Sequence, residues 1–212
     1  YPQRVTDELL EVMASEPKVV KYMDVPVQHA SGRILKAMNR RDDYDYLRNL
    51  MQKIREKIPG VVLRTTFITG FPGETEEDFT ELAEFVKDVR FERMGCFAYS
   101  QEEDTPAALL PDQIDEDVKE RRAEILMDDQ MAIMEAQGEE LLGQTLEVLV
   151  EGFDRYAECW FGRSWRDAPD IDGKVFFTVP EGQRPRLGSF VKVKVHECMD
   201  ADLAGEWEGE EA

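Results

Sequence analysis

Gly70-Phe71-Pro72-Gly73-Glu74 is the stretch whose residue types and spacing are best suited to chemistry. Two glycines three apart take φ > 0 without a Cβ clash, so backbone N–H groups can come close to a ligand. The loop ends at Thr75, and Asp78 three residues on completes a capping box. A helix start offers a positive dipole end to an anion. A connector that only needs a tight turn has the same sequence, and a short glycine loop by itself is the weaker evidence. Three further residues bear on chemistry. Gln28 carries one donor group and one acceptor group that could orient a substrate. His29 beside it either titrates near neutrality or sits as a satisfied structural histidine. Arg64 interrupts an otherwise uncharged strand, so it pairs with a core carboxylate or faces a charged ligand.

The elements that must position these residues follow from the pattern. Thr65 to Thr69 is β-branched or aromatic, as a buried strand prefers. Phe79, Leu82, Ala83 and Val86 recur at helical spacing, so the run to Val89 lays one face on a sheet. Upstream, Thr6 to Met13 predicts a short helix and Val19 to Val25 a strand ending in Pro26–Gly32. Ile34 to Met38 predicts one or two helical turns. A helix capped by Asp42 or Asp43 carries Leu47, Leu50, Met51, Ile54 and Ile58, and Pro59-Gly60 stops it. Met94 to Tyr99 is a third strand. Strands alternating with helices imply right-handed βαβ units and a parallel sheet, with function at the strands' carboxyl ends: Pro26–Ser31, Gly70–Glu74 and Tyr99–Gln101. Gln101 to Pro111 is an acidic loop, and Asp115 to about Leu142 a long helix. After Gly143 the pattern changes to short alternating strands at Leu146–Val150, Tyr156–Phe161, Lys174–Val179 and Phe190–Val195, with turns at Gly152, Pro169-Asp170, Gly173, Gly182 and Gly188. That predicts a small antiparallel barrel of the OB type. Glu206 to Ala212 reads as an acidic, frayed tail. The expected division is 1–142, 143–208 and a tail at 209–212.

Composition bounds the rest. The 212 residues suffice for a sizeable core and one or two domains, and no apolar run approaches a membrane span. Cys96, Cys159 and Cys198 are far apart and odd in number, which argues for buried thiols in a reducing, cytoplasmic setting rather than a disulfide framework or a metal site. Two isolated histidines do not make a zinc site. The net charge is −20. Residues 143–212 contribute 8 basic and 15 acidic side chains, a net −7. Such acidity repels phosphate backbones and favours basic partners, or serves only solubility. Between Arg33 and Arg64 nine basic residues face four acidic ones, most of them on a solvated helix face. The first residue is Tyr1, and Tyr1-Pro2 reads as the end of a strand, so we expect an excised piece of a longer chain.

The residues from Tyr22 to Arg41, Y-M-D-V-P-V-Q-H-A-S-G-R-I-L-K-A-M-N-R-R, followed by R-T-T-F-I-T-G-F-P-G-E-T-E-E-D-F from Arg64 to Phe79, resemble the radical S-adenosylmethionine methylthiotransferases. The resemblance runs through nearly the whole chain in order. Two branches share the core, one modifying tRNA adenosine and the other an aspartate of a small-subunit ribosomal protein. His29-Ala30-Ser31, where the tRNA enzymes tend to have Ser-Gly-Ser, favours the second branch. So do Gly95-Cys96-Phe97-Ala98-Tyr99-Ser100 and the barrel residues Gly162-Arg163-Ser164, Asp167-Ala168-Pro169 and Ile171-Asp172-Gly173. The resemblance implies a partial parallel α/β barrel followed by an OB-like TRAM barrel. It implies S-adenosyl-L-methionine and two 4Fe–4S clusters in the full-length enzyme, methylthiolation of an aspartate β-carbon, and a basic ribosomal protein as partner, with weak or no nucleic-acid binding and no membrane. The family's cluster-binding C-x-x-x-C-x-x-C loop is absent from these residues, so the chain alone is expected to be inactive. By the same resemblance Gly70, Phe71, Pro72, Gly73 and Glu74 lie along the adenosyl group, and Gln28, Arg64, Phe97 and Tyr99 line the same cavity. The tRNA-modifying branch and a non-catalytic acidic module that docks basic proteins are the remaining alternatives.

Overall fold

A computed structural model describes residues 1–210 and divides the chain into two compact units, Tyr1–Ile133 and a second beginning at Met134. In the first unit three parallel strands, β1 (Tyr22–Asp24), β2 (Val62–Thr69) and β3 (Arg93–Ala98), lie in the order β1-β2-β3. Helices α1 (Asp7–Ser15), α2 (Gly32–Ala37), α3 (Tyr44–Lys57), α4 (Glu76–Val89) and α5 (Glu116–Glu139) accompany them. The predicted caps are present. Thr6, Asp43 and Thr75 each accept a backbone N–H at the helix starts, and Thr75 with Asp78 forms the full capping box.

Alternation along β2 sorts its side chains. Leu63, Thr65, Phe67 and Thr69 are buried, whereas Arg64, Thr66 and Ile68 are half-buried on the other face. The buried face meets Leu47 and Ile54 of α3, Leu82, Phe85 and Val86 of α4, and Leu126 and Ile133 of α5. Phe67 packs edge-on against Phe85 and Phe91 at centroid distances of 6.2 and 5.9 Å. On the opposite face Phe97, level with Ile68, is 63% exposed.

β1 is shorter than the expected Val19–Val25, and Val20 is exposed. Pro26 has no N–H to give the ladder, so the regular pairing stops ahead of it. The Thr65 hydroxyl patches the gap, donating to Val25 O (2.9 Å) and accepting from Val27 N–H (3.2 Å). Pairing then resumes one residue out of step at Gln28, whose N–H reaches Thr66 O and whose carbonyl accepts from Ile68, both at 2.8 Å.

The second unit contains a closed barrel of β4 (Thr145–Asp154), β5 (Cys159–Arg163), β6 (Val175–Thr178), β7 (Phe190–Met199) and β8 (Asp202–Glu210), in the order β4-β5-β6-β8-β7. Its core is Leu146, Val148, Val150, Val175, Phe177, Val191, Val193, Val195 and Leu203. Gly162 is required where β5 meets β4, because a Cβ there would overlap Leu149 O.

One expectation is corrected. Residues from Glu206 onward are not a frayed tail as far as Glu210. They belong to β8, antiparallel to β7 and parallel to β6, the strand that closes the barrel. Leu203 and Gly205 are buried and Glu206 and Glu208 exposed, so alternation is present but muted by small and acidic residues. The last two residues of the expected tail lie outside the described residues. Truncation before Asp202 should abolish the barrel's cooperative unfolding, followed by Trp fluorescence in denaturant. An unchanged transition would mean that β8 is dispensable.

Candidate functional site

The carboxyl ends of β1, β2 and β3 carry the segments 28–31, 70–74 and 99–101. Gln28 sits at φ +76°, an uncommon backbone state for a residue with a side chain. His29 follows it, fully buried. Its Nδ1 accepts from Ser31 N–H at 3.0 Å, so Nε2 carries the proton and faces Glu74 Oε2 at 3.2 Å. The geometry therefore fixes the tautomer and gives His29 a structural partner.

Glu74 is the hub of the loop. Its carboxylate is fully buried and accepts from Gly70 N–H (2.9 Å), from His29, and from Arg122 Nη1 (2.8 Å). Gly70 takes φ +69° beneath the Lys119 side chain, where any Cβ would overlap Lys119 Cγ. On the other flank Arg33 donates to Gly73 O (2.7 Å) and pairs with Asp78. Gly73 N–H reaches Asp112 O at 2.9 Å.

Asp78 also accepts from Ser31 Oγ (2.7 Å) and from Thr75 N–H (2.8 Å). Burial opposes its ionisation, but the bonds from Arg33, Thr75 and Ser31 outweigh it and hold the carboxyl well below the usual range. This one residue thus joins the helix start to the two preceding loops.

Phe71 and Pro72 are buried, and Phe71 stands edge-on to Tyr99 at 5.3 Å beside Ile34. The Tyr99 hydroxyl is buried without a hydrogen-bond partner. Its backbone carbonyl takes the Lys119 ammonium at 2.9 Å. Gln28, Gly70–Glu74 and Tyr99 are thus gathered at one end of the sheet. Phe97 lies one residue before the end of β3, on the open face. Arg64 does not join them. It sits at the third residue of β2 and pairs with Asp24 at 2.6 Å. Five residues separate it from Thr69, roughly 17 Å of strand. Glu74 and Arg122 are committed to each other rather than to open space.

Sequence reasoning missed Lys119 and Arg122. They occupy the buried stripe of α5 with Leu126, Gln130 and Ile133, while the apolar Val118 and Ile125 are more than a third exposed. Helical spacing was the available signal, but three of the five buried residues are polar.

The cysteines remain apart from this site. Cys96 faces the helix-packed core, and burial pushes its thiol up to about 12. Burial raises Cys159 as well. Among the described residues no group of three or more His, Cys, Asp or Glu is placed to hold a metal ion. A cleft of about 700 Å³ lies on the barrel between Phe153, Trp160 and the loop 178–184, where Arg155 and Arg184 alternate with Glu158 and Glu181. No described helix is long and apolar enough to cross a membrane.

Comparison with known proteins places both units. Residues 2–86 match the model of the Radical SAM superfamily, and residues 142–207 match that of the TRAM domain. The protein named ribosomal protein uS12 methylthiotransferase RimO from Desulforamulus reducens is 49% identical over 208 residues, covering 97% of this chain and 46% of its own length. The protein of that name from Pelobacter propionicus is 45% identical, over 97% of this chain and 45% of its own length. The sequence matches the RimO methylthiotransferases almost from end to end. The chain spans about half the length of these curated relatives. The solved structure of coproporphyrinogen III oxidase (HemN) from Escherichia coli, a radical SAM enzyme, aligns on 65% of this chain and 31% of its own at TM-score 0.49 and 18% identity.

The Asp78 network carries a pH signature. A carboxyl with a depressed folded pKa contributes stability above its unfolded pKa of about 4 and loses it as pH falls through the folded value. The stability difference between the wild-type chain and Asp78→Asn should therefore be full at pH 7 and shrink below about pH 4. Denaturant titrations at several pH values check this.

Proposed function

We propose that this chain is the cofactor-wall and substrate-barrel portion of a methylthiotransferase that modifies ribosomal protein uS12 at an aspartate β-carbon. The observation that carries the reading is the match to proteins of that name, 42–49% identical along 97% of the chain. S-adenosyl-L-methionine is the cofactor that suits the strand tips. Ile68 and Phe97 form an apolar shelf on the open sheet face, and Gln28 offers an amide. Reductive cleavage of that cofactor supplies a radical able to take hydrogen from an unactivated carbon. What the chain's own residues do is hold the wall rigid around it.

Iron–sulfur clusters do not fit the described residues. The three cysteines are dispersed and two of them have raised pKa values, whereas cluster ligands are thiolates. Cluster chemistry therefore belongs to residues outside this set, and the chain alone is proposed to be inactive.

The partner reading rests on electrostatics. The barrel's basic residues are interleaved with acids, Lys192 lying level with Glu147 and Lys194 level with Glu206. A surface of this kind presents no continuous track for phosphates and suits a cationic protein. The chain should bind uS12 more tightly than tRNA across a salt series, measured by fluorescence anisotropy. Tighter tRNA binding with an affinity that falls steeply with salt would favour the tRNA-modifying branch instead.

A further inference from the structure

We propose that Arg122, on α5, is a positioning residue for the ligand-facing loop at the end of β2. The proposal rests on the reading of the strand tips as a cofactor wall.

Arg122 is 6% exposed and reaches the loop from a helix more than forty residues downstream. Its Nη1 donates to Glu74 Oε1 at 2.8 Å and to the Glu74 carbonyl at 3.3 Å, its Nη2 pairs with exposed Glu76, and the guanidinium stacks on Phe79 at 5.4 Å. The Glu74 side chain is fully buried and spends its other oxygen on Gly70 N–H and His29. A buried carboxylate keeps its charge only while a cation and hydrogen bonds compensate it. Arg122 is that cation, since His29 is held as the neutral tautomer by Ser31. Without Arg122, Glu74 must take up a proton or swing toward water, and either change weakens its hold on Gly70 and His29. Those two residues anchor two different wall segments, and His29 is the neighbour of Gln28 at its uncommon φ.

A buried ion pair adds little net stability compared with apolar residues of similar volume. Its effect here is geometric: Nη1 holds the carboxylate and the carbonyl of Glu74 while Nη2 holds Glu76, so two nitrogens of one rigid plane span the loop and the helix start, which a single-point ammonium would not do. This separates positioning from mere structural support.

The test uses the 212-residue chain in three forms: wild type, Arg122→Lys, and the double variant Glu74→Gln with Arg122→Leu, which leaves no unpaired buried charge and keeps a side-chain oxygen for Gly70 N–H and His29. Two quantities are read. One is amide exchange at Gly70 and Gly73 against the β2 interior. The other is binding of S-adenosylhomocysteine, followed by chemical-shift changes. In the double variant, exchange at the loop should rise and affinity fall, each by about tenfold or more, with thermal stability and β2 exchange close to wild type. Arg122→Lys should recover part of the loop protection and less of the affinity. Unchanged loop exchange in the double variant would overturn the proposal, as would a loosened loop that binds the probe as well as wild type. If the wild-type chain takes no probe at all, the cofactor-wall reading fails. Loop exchange, measured without ligand, then still decides whether Arg122 holds the loop.

Discussion

A carboxylate with no solvent contact, Glu74, organises the functional end of the sheet. Burying a charge is costly, so the fold must bring every compensating donor to it. Those donors come from separate segments: a backbone amide of the loop, an imidazole at the end of β1 and a guanidinium from α5. The energetic demand of one side chain thereby determines where three segments meet. Lys119 tightens the same junction by covering Gly70 and binding the Tyr99 carbonyl, and its own carbonyl accepts from Thr69 Oγ1 at 3.0 Å. Rigid strand tips are the physical requirement of a site that must hold a reactive ligand in one orientation.

The two units manage charge differently. In the first, buried carboxylates are neutralised by cations, Asp78 by the exposed Arg33 and Glu74 by the buried Arg122. In the barrel the core is aliphatic with a single fully buried aromatic, Phe177, and charges alternate on the outer faces of the strands. The first arrangement fixes geometry. The second leaves an acidic surface of mixed sign.

Much of this organisation was legible in the sequence, for specific reasons. The β2 composition, the Thr75–Asp78 box and the glycines at 70 and 73 are local signals, and each appears where local rules place it. Long-range pairings were not legible. Arg64 left two readings open because its partner, Asp24, lies forty residues away on another strand. The inward side of α5 was not legible, because a buried stripe of Lys119, Arg122 and Gln130 looks solvent-facing to any hydropathy rule. The part of β8 from Glu206 was taken for a tail because glycine and glutamate depress strand propensity, whereas closure of the barrel requires that strand. Tertiary context overrides local preference in both cases.

The central claim is that the ends of β1, β2 and β3 form one ligand wall. A residue-resolved footprint of S-adenosylmethionine on the chain, read from backbone amide shifts, tests it most directly. The account predicts perturbations confined to residues 28–31, 70–74 and 97–101 with the barrel silent. A footprint centred on the barrel cleft around Phe153 and Trp160, or one that spares the Gly70–Glu74 loop, would contradict it.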